Sequence, residues 1–217
     1  MRRFTLALAV IASLLLVSCL AYADVNPGVT NPGFETGDLT GWESFGDSGY
    51  SDSVVTAWSG QTLSYSAPSG SYFAVLGGTG GSGSPLPYAE ISQLGFTLQA
   101  GDVLSGWDAL DPDPGGGSGA EGFVQIDSDG TQYFVGQVSD TGNATSTEWT
   151  PWTFTAPASG TYSVDGQISG LVGPTDYLLF DMQESGDSSS APEPGSCALL
   201  LTALLPLGAL LRRKRSA

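Results

Sequence analysis

The sequence predicts an all-β protein, an antiparallel sandwich with an apolar helix at each end. Two features of composition and one of pattern carry this. Apolar residues make up 41% of the 217 residues, yet only 13% are charged and 31 are glycine, a balance that suits turn-rich strands better than helices held by ion pairs. Apolar and aromatic runs of strand length recur between clusters of Gly, Pro, Ser and Asp, as in a sandwich. The two longest apolar stretches lie at the termini, leaving one domain of ordinary size between them.

Residues 1–23, MRRFTLALAVIASLLLVSCLAYA, have a basic start, an apolar run and Ala21-Tyr22-Ala23 in the small-x-small pattern, the marks of a secretory signal peptide cut after Ala23. A second reading uses Leu16-Val17-Ser18-Cys19 as a lipobox, which would leave Cys19 acylated. The body spans 24–184. Its predicted strands are Val29–Glu35, Val54–Trp58, Tyr72–Leu76, Ala89–Leu98, Val103–Leu110, Gly122–Asp127, Gln132–Val138, Glu148–Thr155, Thr161–Ser169 and Tyr177–Met182. The clearest alternation is TYSVDGQIS: Tyr162, Val164, Gly166 and Ile168 share one face, and Ser163, Asp165, Gln167 and Ser169 the other, so one side is buried and one wet. Asp127-Ser128-Asp129-Gly130 predicts a hairpin turn, because Asp-Gly tolerates positive φ. Pro112–Gly119 reads as a mobile loop and 185–191 as a flexible spacer.

Charge is segregated. All 22 carboxylates lie between Asp24 and Glu193, and the six cations are Arg2, Arg3, Arg212, Arg213, Lys214 and Arg215, with no His. Such a body repels phosphate, so nucleic acid is excluded as a partner. With no His, Lys or Arg in the body and both cysteines in the terminal apolar segments, no Ser-His-Asp triad, cysteine nucleophile or Schiff-base lysine is available, and thiolate or imidazole metal sites are excluded. Only carboxylate chemistry survives, chiefly that of a glycosidase pair. Hard oxygen ligands in this number suit Ca²⁺. Asp108, Asp111 and Asp113 crowd a loop that would gather a cation or simply be a mobile acidic loop. Asp127-Ser128-Asp129-Gly130 lacks the spacing of an EF-hand loop. Trp149 and Trp152 are three apart and face opposite sides of a regular strand. With Trp152 and Phe154 inward, Trp149 is the exposed candidate for stacking a sugar, unless Pro151 introduces a bulge. Asn143-Ala144-Thr145 fits a glycosylation acceptor but reads as loop.

At the C-terminus, Pro192-Glu193-Pro194 precedes an apolar helix at 197–211 and the basic stop Arg212, Arg213, Lys214 and Arg215. Ala198 to Leu211 covers roughly 21 Å at 1.5 Å per residue, short of a hydrocarbon core of roughly 30 Å, and Pro206 weakens the helix further. The basic cluster holds the end in the cytoplasm. A permanent tail anchor is one reading. The three parts in this order resemble the PEP-CTERM sorting signal of Gram-negative bacteria. That resemblance implies transfer across the inner membrane, recognition by an exosortase, cleavage near the tripeptide, and delivery to the cell envelope, outer surface or extracellular matrix. A weak helix that holds the protein only until exchange parallels the GPI signal.

Asn31-Pro32-Gly33-Phe34-Glu35-Thr36-Gly37-Asp38-Leu39-Thr40-Gly41-Trp42 is similar to the opening strand of galactose-binding-like jelly rolls, several carbohydrate-binding modules among them. Tyr177-Leu178-Leu179-Phe180-Asp181 is similar to the closing strand. The resemblance implies a jelly-roll sandwich, Trp42 in the core, and a structural Ca²⁺ held with the help of Glu35 and Asp181. The expected function is that of a secreted, non-enzymatic envelope or matrix protein processed by signal peptidase and an exosortase. The alternative is a Ca-stabilised module acting on extracellular polysaccharide, and a carboxylate-only glycoside hydrolase is a distant third.

Overall fold

Period-two alternation sets the strands and decides which side of each is buried. In a computed structural model, residues 25–46, 49–78, 88–113, 119–140, 145–170 and 176–184 are described. The expected signal peptide with Cys19, residues 114–118, Asn143, the expected spacer at 185–191, Pro192, Glu193, Pro194, the helix expected at 197–211 and Arg212, Arg213, Lys214 and Arg215 lie outside them. Among the described residues there are twelve strands and no helix. In chain order they are β1 (Glu43–Gly46), β2 (Tyr50–Val55), β3 (Ala57–Ser59), β4 (Ser64–Ser66), β5 (Phe73–Gly78), β6 (Tyr88–Leu98), β7 (Val103–Asp111), β8 (Glu121–Ser128), β9 (Thr131–Ser139), β10 (Thr150–Thr155), β11 (Gly160–Ser169) and β12 (Asp176–Met182).

Ten of these form two antiparallel sheets. The front sheet has the order β1-β6-β11-β8-β9, the back sheet β10-β7-β12-β5-β2, and β3 and β4 make a separate hairpin. Strands β5 to β8 pass alternately between back and front, so strands remote in sequence become neighbours. The interior takes one residue in two from each strand: Ile91, Leu98, Val124, Ile126, Val164 and Ile168 from the front, Leu76, Leu104, Leu110, Leu178 and Phe180 from the back, all with zero exposure. Burying each such side chain contributes about 1.5–3 kcal/mol. A second, smaller cluster lies on the outer side of the back sheet, where Phe73, Val75, Ala109 and Leu179 are covered by Tyr65 of β4 and by Trp58.

The β8–β9 turn forms as expected. Ser128 pairs with Thr131, and Asp129 and Gly130 take φ of 49° and 76°, the two positive values that a tight hairpin of this hand requires. The expected strand Val29–Glu35 does not form. Asn31 and Phe34 have φ of 51° and 59°, and turn bonds run from Phe34 N to Asn31 O and from Gly37 N to Phe34 O; Asn-Pro-Gly makes turns, and Asn accepts the left-handed region. The segment is nevertheless core, since Phe34 packs 5.2 Å from Trp42 and 6.0 Å from Phe180. The stretch 54–58 is split between β2 and β3, and β1 and β4, too short and polar to alternate visibly, are additions.

Candidate ligand-binding face

The wet side of β11 becomes the centre of a continuous platform. Register places Phe45, Glu90, Gln167, Phe123 and Gln137 in one row across the five front strands. Glu43, Ser92, Asp165, Gln125 and Phe134 form the next row. Asp127 and Gln132 pair one step further along. At about 4.8 Å per strand the rows extend roughly 19 Å. Aromatic rings stand towards both ends: Phe45 is 41% and Phe134 65% exposed, and Phe134 meets Phe123 edge-on with centroids 5.8 Å apart.

Between the rings the face is polar. Gln125 Nε2 donates to Asp127 Oδ2 at 2.6 Å. Burial, then the Glu90 charge and the contact with Asp127, push the Asp165 carboxyl up to about 7. Burial and the Asp127 charge also raise Glu90. Three acids therefore cross β6, β11 and β8 diagonally, with no cation beside them among the described residues. Carboxylates and amides accept and donate hydrogen bonds, while exposed rings offer flat apolar surface. That combination suits a polyhydroxylated ligand.

Asp181 and Glu35 meet at the segment Ser69–Tyr72. Asp181 is fully buried. Its Oδ2 accepts from Ser69 N at 3.3 Å, and its Oδ1 is buried without a partner. Glu35 Oε1 accepts from the amides of Ser71 and Tyr72 at 2.6 and 2.9 Å. Burial first, then the charges of Glu35 and Glu184, push the Asp181 carboxyl up to about 9. Glu184 Oε1 accepts from Gly33 N at 3.1 Å. Among the described residues no three His, Cys, Asp or Glu side chains form a ready-made metal cluster; the pair brings two hard carboxylates and one orphaned oxygen.

Trp149 differs from its expected role. The parity holds, since β10 pairs with β7 without a bulge and Trp152 and Phe154 are buried. Its outer side, however, is roofed by the β3–β4 hairpin. Trp149 is half-buried, its indole N–H donates to Ser66 O at 3.0 Å, and its ring meets Tyr65 and Phe73 edge-on. It is a wall of the second cluster, on the opposite sheet from the platform. Asp108, Asp111 and Asp113 do not gather in a loop, since Asp108 and Asp111 belong to β7. Asp108 points inward, Asp111 outward, and Asp113 stands past the strand end, where its amide donates to Asp176 Oδ1. The front platform itself was half visible in sequence: the alternation of β11 names Asp165 and Gln167, but their partners come from strands 30 to 120 positions away.

No protein-family model matches the chain, and no curated protein does. Among solved structures it is similar to TmCBM61 in complex with β-1,4-galactotriose, at 23% identity over 74% of this chain and 95% of that one, with a TM-score of 0.47. It is similar to CBM27-1 of Caldicellulosiruptor saccharolyticus in complex with mannohexaose, at 12% identity over 70% and 93%, TM-score 0.45. A third is the K1 cleaved adhesin domain of Lys-gingipain from Porphyromonas gingivalis W83, at 16% over 69% and 92%, TM-score 0.45. This chain is an all-β sandwich of two antiparallel sheets. Its own strands establish that, and at TM-scores below 0.5 no ligand passes to it from these proteins.

Proposed function

We propose that the chain is a secreted, non-catalytic module that binds extracellular polysaccharide on its front sheet. The observation that carries this is the platform itself, with Asp165, Gln167, Gln125 and Glu90 set between the exposed rings of Phe45 and Phe134. No cation lies between Arg3 and Arg212, so uronate or sulfate polymers are repelled and neutral or amino-sugar polymers are favoured. Affinity electrophoresis against neutral, amino-sugar and uronate polysaccharides tests it. Binding to a polymer of the first two classes is expected, weakened at least tenfold by Gln167→Ala or Phe134→Ala with an unchanged melting temperature. Retention by none of them, or by uronates alone, sinks the reading. Hydrolysis by the purified domain would remove the word non-catalytic.

Delivery rests on the two ends of the sequence: cleavage by signal peptidase after Ala23, then exosortase processing at Pro192-Glu193-Pro194 ahead of the apolar helix and Arg212–Arg215. Intact mass of protein recovered from the cell surface or medium is expected to lack both terminal segments. A mass that retains residues beyond Pro194 counts against exosortase cleavage, and lipid on Cys19 selects the lipoprotein route.

Ca²⁺ at Glu35 and Asp181 is part of the same reading. The orphaned Asp181 Oδ1 and the adjacent Glu35 charge suit a hard cation, which would supply the missing partner and hold the opening segment to the last strand. Millimolar Ca²⁺ should raise the melting temperature, because it binds the native state alone. Mg²⁺ at equal concentration controls for general screening. A rise equal for the two ions, or unaffected by Glu35→Gln, removes the site.

A further inference from the structure

Asp108 of β7 turns into the sandwich with no exposure, and neither of its carboxyl oxygens has a hydrogen-bond partner. The indole N–H of Trp152, on the neighbouring β10, is buried and unpartnered too. The two groups meet against Gly136 of β9, where an added Cβ would come 3.0 Å from Asp108 Oδ2 and 3.1 Å from Trp152 Cδ1. A larger residue there would crowd both. Phe180, directly opposite Asp108 in the register, stacks on Trp152 at 6.2 Å and 7°. The carboxyl is therefore enclosed by two aromatic rings and a glycine.

Among the described residues no other carboxyl faces it. β8 presents Val124 and turns Glu121 and Asp127 outward; β9 brings only the Tyr133 phenol inward. On β12, Tyr177 and Asp181 point to the back, and Asp176 stands four residues along from Phe180. Asp111, on the same strand as Asp108, bonds outward to the β3–β4 hairpin, and β10 has no titratable group. Burial pushes the Asp108 carboxyl up to about 7, against a smaller opposing effect of its own backbone amide.

We propose that Asp108 is a proton-operated latch on the β9–β10 edge of the sandwich. Protonated, the carboxyl is neutral and the edge stays shut. Loss of that one proton leaves a charge enclosed by Trp152, Phe180 and Gly136 with only its own backbone amide to offset it, a state that water entry relieves. The easiest route is between β9 and β10, because each is the outermost strand of its sheet and is hydrogen-bonded along one side only. β9 also carries Phe134 outward, so the latch reaches the front platform. It stands whether or not that platform binds sugar.

The test uses no ligand. Urea unfolding of the wild type, Asp108→Asn and Asp108→Leu is followed from pH 4.5 to 8. The folding constant of the wild type relative to either variant should fall about tenfold per pH unit between roughly pH 4 and 7, the slope of one proton. A ratio that does not change with pH overturns the latch. Should both variants fail to fold, amide exchange of the wild type decides: after correction for intrinsic rate, β9 and β10 should lose protection at pH 8 relative to pH 5. An edge equally protected at both values overturns the proposal.

Discussion

Trp149 shows how much a single residue's role depends on what lies over it. Its ring is held edge-on by Tyr65 and Phe73 and its N–H by Ser66 O, so truncation removes packing and a hydrogen bond together. Trp149→Ala should destabilise by about 3 kcal/mol, at the low end for a large aromatic because the residue is only half-buried. Polysaccharide retention should persist below the lowered melting temperature; loss of binding with full stability would return Trp149 to the ligand site. Gly130 makes the opposite case. A Cβ there meets nothing within 4 Å, so Gly130→Ala is charged only with the φ of 76° and should cost about 1 kcal/mol, read from the urea midpoint.

Among elements, the β3–β4 hairpin is tied down by the Asp111 carboxylate as well as by the bonds from Trp149 Nε1 to Ser66 O and from the Tyr65 hydroxyl to Thr147 O. Asp111 Oδ2 accepts from Trp58 Nε1 at 3.0 Å, and Oδ1 accepts from Gln61 N at 2.9 Å and Ser146 Oγ at 2.6 Å. Trp58 in turn lies edge-on to Tyr177 of β12 at 4.8 Å. Asp111→Ala removes three bonds to a charged acceptor and leaves a Trp N–H unsatisfied, so a loss of about 3 kcal/mol is expected. Limited proteolysis should then cut within 56–72 before any other described segment; unchanged resistance there would show that the apolar cover and the remaining hydrogen bonds hold the hairpin without Asp111. Strand existence was legible because period two is written locally, as in β11. The expected Val29–Glu35 strand failed because its apolar residues are held by turns, with Phe34 reaching the core from a positive φ. The split at Thr56 escaped because a change of sheet leaves no local mark.

The whole molecule carries 22 carboxylates and, between Arg3 and Arg212, no cation to pair with them. Asp108 and Asp165 are pushed up to about 7, and Glu90 is raised too, burial being the first cause in each. Asp108 and Asp165 hold protons more tightly folded than unfolded, so their contribution is complete below about pH 4 and is lost as pH rises through 7; Asp181, pushed up to about 9, extends the loss to higher pH, and Glu90 acts in the same direction. Asp38, lowered by hydrogen bonds from Thr40 and Thr36, works the other way but sits at the surface, where such effects are small. Metal-free protein should therefore melt lower at pH 8 than at pH 5, and salt at 0.15 M should recover part of the loss by screening surface repulsion. A melting temperature that rises from pH 5 to 8 in EDTA contradicts this balance.

Composition and alternation by themselves determined the all-β class, most strand positions, the β8–β9 turn and the lack of any cationic or thiol side chain between Cys19 and Cys197, because each of these is a property of residue type or of neighbours in the chain. Only the tertiary structure decided that Asp165 joins Glu90 and Asp127, that Trp149 lies under a hairpin, and that Asp108 is sealed against Trp152. Those outcomes depend on strand order and on which side of a sheet another element covers. A strand's alternation states that it has two faces, and the packing of distant segments decides which face meets water.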